Sequence, residues 1–262
     1  MLKREDLWLW GQDAGSHHAT LNNCWHLPGE NRMGPMEGSL YLGVPNICRV
    51  AMGNKPEPPF FDEAEKIKDA PKVVWSIIGD GGSQRTNTGE TDLSAVIDVA
   101  RAYPNIIGGI MDDFFNDERM KVYTPDVIGA CAEGLHNAGL DLWTVLYAHE
   151  LYKPIADHLV HCDVITFWTW KAADLPALEE NLTKLESILT ESRPIYQGIY
   201  FYDYGTGAPM PMERMRQQLE TGLRLYEAGR IRGMVFCSNC IADIGLETVE
   251  YTRRWLDEHC EG

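Results

Sequence analysis

Asn105-Ile106-Ile107-Gly108-Gly109-Ile110-Met111-Asp112-Asp113-Phe114-Phe115 is an apolar, glycine-softened run that stops at two adjacent carboxylates and then two aromatic rings. A strand interior has no use for charge, because burying an unpaired carboxylate costs several kcal/mol or neutralises it. The doublet therefore marks the point where a strand leaves a core. In a closed barrel, such exits are where catalytic groups collect.

Working outward, runs of the same kind recur with a regular beat. They cover Leu7 to Trp10, Ile47 to Met52, Lys72 to Ile78, Asn105 to Met111, Asp141 to Tyr147, Asp163 to Trp168, Ile195 to Phe201 and Arg232 to Cys237. Helical patterns separate them. Thr91 to Tyr103 carries Leu93, Val96, Ile97, Val99 and Ala100 on one side, and Glu179 to Leu189 carries Leu182, Leu185, Ile188 and Leu189. Thr124-Pro125-Asp126 is an N-cap, a first-turn proline and an acid suited to the positive helix end; Pro211 and Glu213 open the seventh helix likewise. Gly139 and Gly229 stand where helices end.

Eight β/α units in 262 residues predict an α/β fold, a closed (β/α)8 TIM barrel forming one domain over 1–262. A doubly wound open sheet is the competing architecture. Against it, the first strand ends in Trp10-Gly11-Gln12-Asp13 with no G-x-G-x-x-G. The connection from Gly11 to Asn46 is the longest and most irregular. It is expected to fold over the barrel mouth, with at most a short helix around Gly38 to Gly43.

Bulk properties narrow the function. The net charge of −16, from 39 acids against 23 bases, repels phosphate backbones, and no basic stripe with interleaved aromatics is present, so nucleic acid is not an expected partner. No apolar run approaches the roughly 18 residues of a membrane span. The N-terminus does not read as a secretion signal, and the seven scattered cysteines read as small hydrophobes, which makes the cytoplasm the expected location. Nothing in the sequence indicates an oligomeric state.

Strand exits in a barrel converge on one face. Asp13, His17 and His18 follow the first, Asn54 the second, Asp80 the third, and Asp112 and Asp113 the fourth. Tyr147, His149 and Glu150 follow the fifth, Trp168, Trp170 and Lys171 the sixth, Tyr202, Asp203 and Tyr204 the seventh, and Asn239 the eighth. Aromatic planes flanked by carboxylates and amides suit a neutral polyhydroxylated ligand, with rings against C–H faces and polar groups on hydroxyls. Trp168 and Trp170 share a facing and at least one should line the pocket, whereas mid-strand Trp75 and Trp143 belong to the core or the barrel–helix interface.

Glycosidic chemistry needs two carboxyl groups, one to protonate the leaving oxygen and one to attack or activate water. Strand alternation implies that only one of Asp112 and Asp113 faces the pocket. The partner is expected in Asp203 or Glu150, although Asp203-Tyr204-Gly205 also reads as a turn and Glu150 as a helix-capping acid.

This arrangement resembles barrel glycoside hydrolases, in which an acid at the fourth strand exit cooperates with one at the seventh. The resemblance implies that Asp113 or Asp112 is the proton donor and Asp203 the nucleophile or base. It extends over the eight-strand layout and rests on few residues. Asp112-Asp113 stands where the largest hydrolase clan carries Asn-Glu, and the Asp-x-x-Asp-x-Asp-x-Glu pattern of chitinase-like barrels is missing, so no single family is indicated.

Other readings are weaker. Asp13, His17, His18, Asp80, Asp112, His149, Glu150 and Asp203 could serve a divalent-metal sugar isomerase, epimerase or hydrolase, but no His-x-His or His-Glu-x-x-His appears, and neither metal nor cofactor is expected. Cys237-Ser238-Asn239-Cys240 has redox spacing without a thioredoxin-like layout. Gly79 to Ser83 could hold an anion through backbone amides, and Lys171 is the one lysine placed for Schiff-base chemistry. A non-catalytic sugar-binding barrel is the reading from a different class.

Overall fold

A computed structural model describes residues 1–261. Eight strands form a closed parallel barrel: β1 (Leu7–Gly11), β2 (Asn46–Arg49), β3 (Val73–Ile78), β4 (Ile106–Met111), β5 (Asp141–Tyr147), β6 (Val164–Trp168), β7 (Ile195–Tyr200) and β8 (Gly233–Cys237). Each pairs with its chain neighbours, and β8 closes on β1 with Val235 beside Trp8 and Cys237 beside Trp10. The strands are nearly continuously buried, as a parallel sheet covered by helices requires.

Register assigns the interior. Trp8 and Trp10 point inward on β1, and Trp143, Val145 and Tyr147 do so on β5. At the bottom, Trp8 packs on Trp143 with ring centroids 4.7 Å apart, and Trp143 stacks on Tyr196 at 5.1 Å. Above them Trp10 meets Trp168 edge-on at 5.3 Å, and Trp168 meets Tyr200 at 5.0 Å. A Cβ on Gly198 would lie 2.0 Å from the Trp168 ring, so the absent side chain on β7 makes room for an indole from β6. Trp75 faces outward and packs on Phe60 at 5.2 Å. The two mid-strand tryptophans are thus core on opposite sides of the barrel wall.

Helix Leu93–Ala102 falls inside its expected span, helix Leu178–Ile188 begins one residue before its own, and Met212–Glu227 follows Pro211. The Thr124 side chain accepts from the Val127 amide, capping helix Pro125–Asn137. Gly139 and Gly229 take left-handed φ values of 74° and 70° after their helices. The second strand is shorter than expected and stops at Arg49. Beyond it Met52 and Lys55 exchange backbone hydrogen bonds of 2.8 and 3.1 Å around left-handed Gly53 and Asn54. Short helix Pro35–Leu42 lies in the long first connection, as does the single turn Ser16–Ala19. Leu2–Lys3 pairs in parallel with Cys260–Glu261. Among the described residues no helix is long and apolar enough to cross a membrane, and all seven cysteines are free, with only Cys24 exposed.

Candidate active site

The β4 exit departs from strand alternation. Ile110 lies beside inward-facing Trp143, so Gly108, Ile110 and Asp112 share the inner face. Asp113 should then face outward, but the strand has ended and Asp113 takes a left-handed φ of 50°. That turn brings its carboxylate back to the mouth. Oδ1 accepts from the Tyr147 hydroxyl at 2.9 Å and Oδ2 from the Gly81 amide at 3.0 Å. Both aspartates therefore line one cavity, correcting the expectation that only one would.

Two donors on the Asp113 carboxylate suit an anion. Asp112 is its opposite: buried, with Oδ1 lacking any hydrogen-bond partner. Burial, and then the charges of Asp113 and Asp80, push the Asp112 carboxyl well above the ordinary carboxylate range; the Arg119 guanidinium opposes this without reversing it. The two neighbouring acids thus meet different surroundings: Asp112 Oδ1 is buried without a donor, whereas the Asp113 carboxylate accepts from two.

Asp80 joins them from β3. Its Oδ1 accepts from the Gly53 amide at 2.8 Å and from the Ser83 hydroxyl, and its Oδ2 from the Gly82 amide at 3.1 Å, so it shapes the glycine loop while contributing charge. The buried Arg119, on helix Asp117–Val122, fastens the β3 and β4 exits together. Its guanidinium donates to the carbonyls of Gly79, Asp112 and Asp80, each at 2.8 Å, and to Asn87 Oδ1 at 2.7 Å. Phe114 and Phe115 pack on each other at 3.9 Å outside the cavity.

The facing walls are aromatic. Trp10, Trp168, Tyr200 and Cys237 close the floor, while Tyr147, Trp170, Tyr204 and His17 stand around the sides. Trp170 and Tyr204 stack at 5.9 Å, and Trp25 meets both edge-on at 5.5 and 5.6 Å. His17 stacks on Tyr204; burial, helped by the nearby His18, lowers its pKa to about 4, so the imidazole is neutral near pH 7. The cavity encloses about 280 Å³.

A second pocket of about 600 Å³ adjoins it and shares Trp25, Gly81, Asp113, Tyr147 and Trp170. Its remaining wall is polar and includes Asn116, His149, Glu150, Lys171 and Asp174. Glu150 Oε2 accepts from the Tyr147 amide at 3.0 Å, which is the capping role. Glu150 nevertheless lines this pocket, and burial raises its pKa to about 7 against that hydrogen bond.

Six sequence candidates, His18 among them, do not reach either cavity. Asp203 starts a hairpin, with Tyr202–Asp203 paired to Ala208–Pro209, and its carbonyl accepts from the Gly207 amide at 2.9 Å; the turn reading describes it. Tyr202 turns its hydroxyl to the carbonyls of Trp25 and His26 at 2.9 and 3.0 Å, anchoring the loop above the mouth. Asn239 is a buried clamp, accepting from the Gln12 amide and donating to the carbonyls of Gln12 and Met33. Asn54 accepts from the Arg85 amide at 2.8 Å, and Asp13 pairs with the buried guanidinium of Arg49. Residues unforeseen in the sequence include Trp10, Trp25, Asn116, Arg119, Asp174 and Tyr200. Among the described residues no group of three or more His, Cys, Asp or Glu is arranged to hold a metal ion.

No protein-family model matches the chain, and no curated protein matches its sequence. Solved structures do match its fold. A chitinase from Chromobacterium violaceum superposes with a TM-score of 0.57 at 11% identity, over 94% of this chain and 98% of that one. The spore cortex-lytic enzyme SleL of Bacillus megaterium gives 0.59 at 9% identity, over 97% and 74%. Catalytic domain 2 of an Ostrinia furnacalis Group II chitinase gives 0.53 at 11% identity, over 97% and 97%. At such identities the likeness is one of fold: a (β/α)8 barrel of the kind that glycosidases share with other enzymes.

Proposed function

We propose that this barrel is a glycoside hydrolase-like enzyme that cleaves a neutral carbohydrate by carboxylate acid–base chemistry. The observation that carries the reading is the buried Asp112 carboxyl, whose Oδ1 has no hydrogen-bond partner, beside the doubly hydrogen-bonded Asp113, inside a cavity walled by aromatic rings.

Asp112 is the proton donor. Burial and the neighbouring acids favour its protonated form, the form that can donate to a glycosidic oxygen. Asp113 faces the developing positive charge of the sugar ring and accepts a proton from the attacking water. In the net reaction the carbon–oxygen bond breaks, the leaving oxygen keeps the electron pair and takes the Asp112 proton, and the water's hydroxyl joins the anomeric carbon. The proton left on Asp113 passes back to Asp112 between turnovers. Trp168, Trp170, Tyr204 and Trp25 offer faces and edges to the sugar's C–H surfaces, and neutral His17 offers a ring nitrogen to a hydroxyl. Glu150, Lys171 and Asp174 supply polar contacts in the outer pocket. The chitinases and the cortex-lytic enzyme of the same fold support a polysaccharide-derived substrate.

A binding-only barrel is the second reading, and one observation favours it: Asp203 lines neither cavity, so no carboxylate faces the aspartates from β7. Turnover separates the two. In Asp112→Asn the hydrolase account expects retained sugar binding with a rate about 10²–10⁴ lower. Full activity in both Asp112→Asn and Asp113→Asn would reject the assignment.

A further inference from the structure

The two cavities differ in size and in chemistry, and they meet along one wall. The inner one, at about 280 Å³, is smaller than the roughly 300–1,000 Å³ of pockets that take drug-sized ligands. It has room for one sugar ring. Its floor is closed by the packed rings of Trp10, Trp168 and Tyr200, so a longer chain has no way through the barrel. The loop bearing Trp25 lies over it, fixed by the Tyr202 hydroxyl. The outer pocket, at about 600 Å³, is roomier, and the wall that it does not share with the inner cavity carries the polar side chains of Asn116, His149, Glu150, Lys171 and Asp174.

Asp112 lines the inner cavity alone, whereas Asp113 and Tyr147 line both. A bond between a ring inside and a ring outside therefore passes the carboxylate pair. The ring that develops positive charge needs the aspartates and the aromatic faces around it, which places it in the inner cavity.

Resting on the hydrolase reading, we propose that the enzyme acts on chain ends: the inner cavity holds the terminal non-reducing sugar, and the outer pocket holds the leaving group. The outer pocket then governs which leaving groups are accepted, through Glu150, His149, Lys171 and Asp174.

Chitin-, cellulose-, xylan- and starch-derived pentasaccharides, each labelled with a fluorophore at the reducing end, test this alongside a panel of aryl monoglycosides. The expected early products are free monosaccharide and a labelled tetrasaccharide only. A bulky acetal on the terminal non-reducing ring should abolish cleavage of the same pentasaccharide. Release of an aryl group from a monoglycoside also supports the proposal, since one ring then suffices on the inner side. Labelled di- and trisaccharides in the first products, or undiminished cleavage of the blocked chain, would overturn end action and leave hydrolysis standing. No cleavage of any pentasaccharide or monoglycoside, with calorimetric binding of a pentasaccharide intact, would overturn both this inference and the hydrolase reading.

Discussion

The Tyr147 hydroxyl donates a 2.9 Å hydrogen bond to Asp113 Oδ1, joining the exits of the fifth and fourth strands across the cavity. This bond and the Gly81 amide fix the carboxylate that left-handed geometry has turned back to the mouth.

Tyr147→Phe removes that donor while keeping the ring. A hydrogen bond to a charged group contributes about 1.5–3 kcal/mol, so kcat should fall roughly 10- to 150-fold. Steady-state kinetics read the loss, and an unchanged far-UV circular dichroism spectrum shows that the barrel persists. A KM change at constant kcat would assign Tyr147 to substrate binding alone.

Two buried acids predict a pH dependence of stability. The Glu150 pKa is about 7 in the fold against an ordinary 4.5, so the folded state binds the proton more tightly than the unfolded one. Its contribution is complete below about pH 4.5 and is lost as pH rises through about 7, an effect on the order of 3 kcal/mol. Asp112 acts in the same direction. Glu150→Gln should therefore melt above the wild type at pH 8 and lose this advantage at pH 4.5, in paired thermal unfolding scans.

Strand alternation at the β4 exit holds through Asp112, which continues the inward series of Gly108 and Ile110, although alternation alone did not choose between the two aspartates. It failed at Asp113 because a positive φ on a non-glycine residue is imposed by tertiary partners, here Gly81 and Tyr147, which lie far away in sequence. Strand Asp141–Tyr147 was legible to the residue, since Gly139 ends the preceding helix and inward Trp143, Val145 and Tyr147 alternate. Asp203 and Asn239 were misplaced for a common reason. Being at a strand exit sets the height in the barrel, whereas local turns decide whether the side chain meets ligand or backbone. Trp25 lies in an irregular loop without periodicity, and Arg119 follows a turn, so neither carried a pattern that could reveal its role.

Arg119→Met should destabilise the site more than a surface change would. It strips donors from the carbonyls of Gly79, Asp80 and Asp112, and each buried polar group left unpaired costs about 1–3 kcal/mol. Denaturant unfolding should show a loss on the order of 3 kcal/mol. A variant within about 0.5 kcal/mol of the wild type would contradict the clamp.

Gly198→Ala places a methyl group against the Trp168 indole. Overpacking of this kind costs about 1–3 kcal/mol, and displacement of the ring should disturb the cavity floor. Near-UV circular dichroism and pentasaccharide affinity should change together; a shift in neither would mean that the indole relaxes freely.

The most direct test of the central claim compares wild type and Asp112→Asn, with rate and binding measured on the same sugar. The account predicts hydrolysis by the wild type on a limb that falls as pH rises through the Asp112 pKa. In the variant it predicts binding within a few-fold of the wild type and turnover about 10²–10⁴ lower. Equal turnover by the two proteins, with the same pH profile, would contradict it.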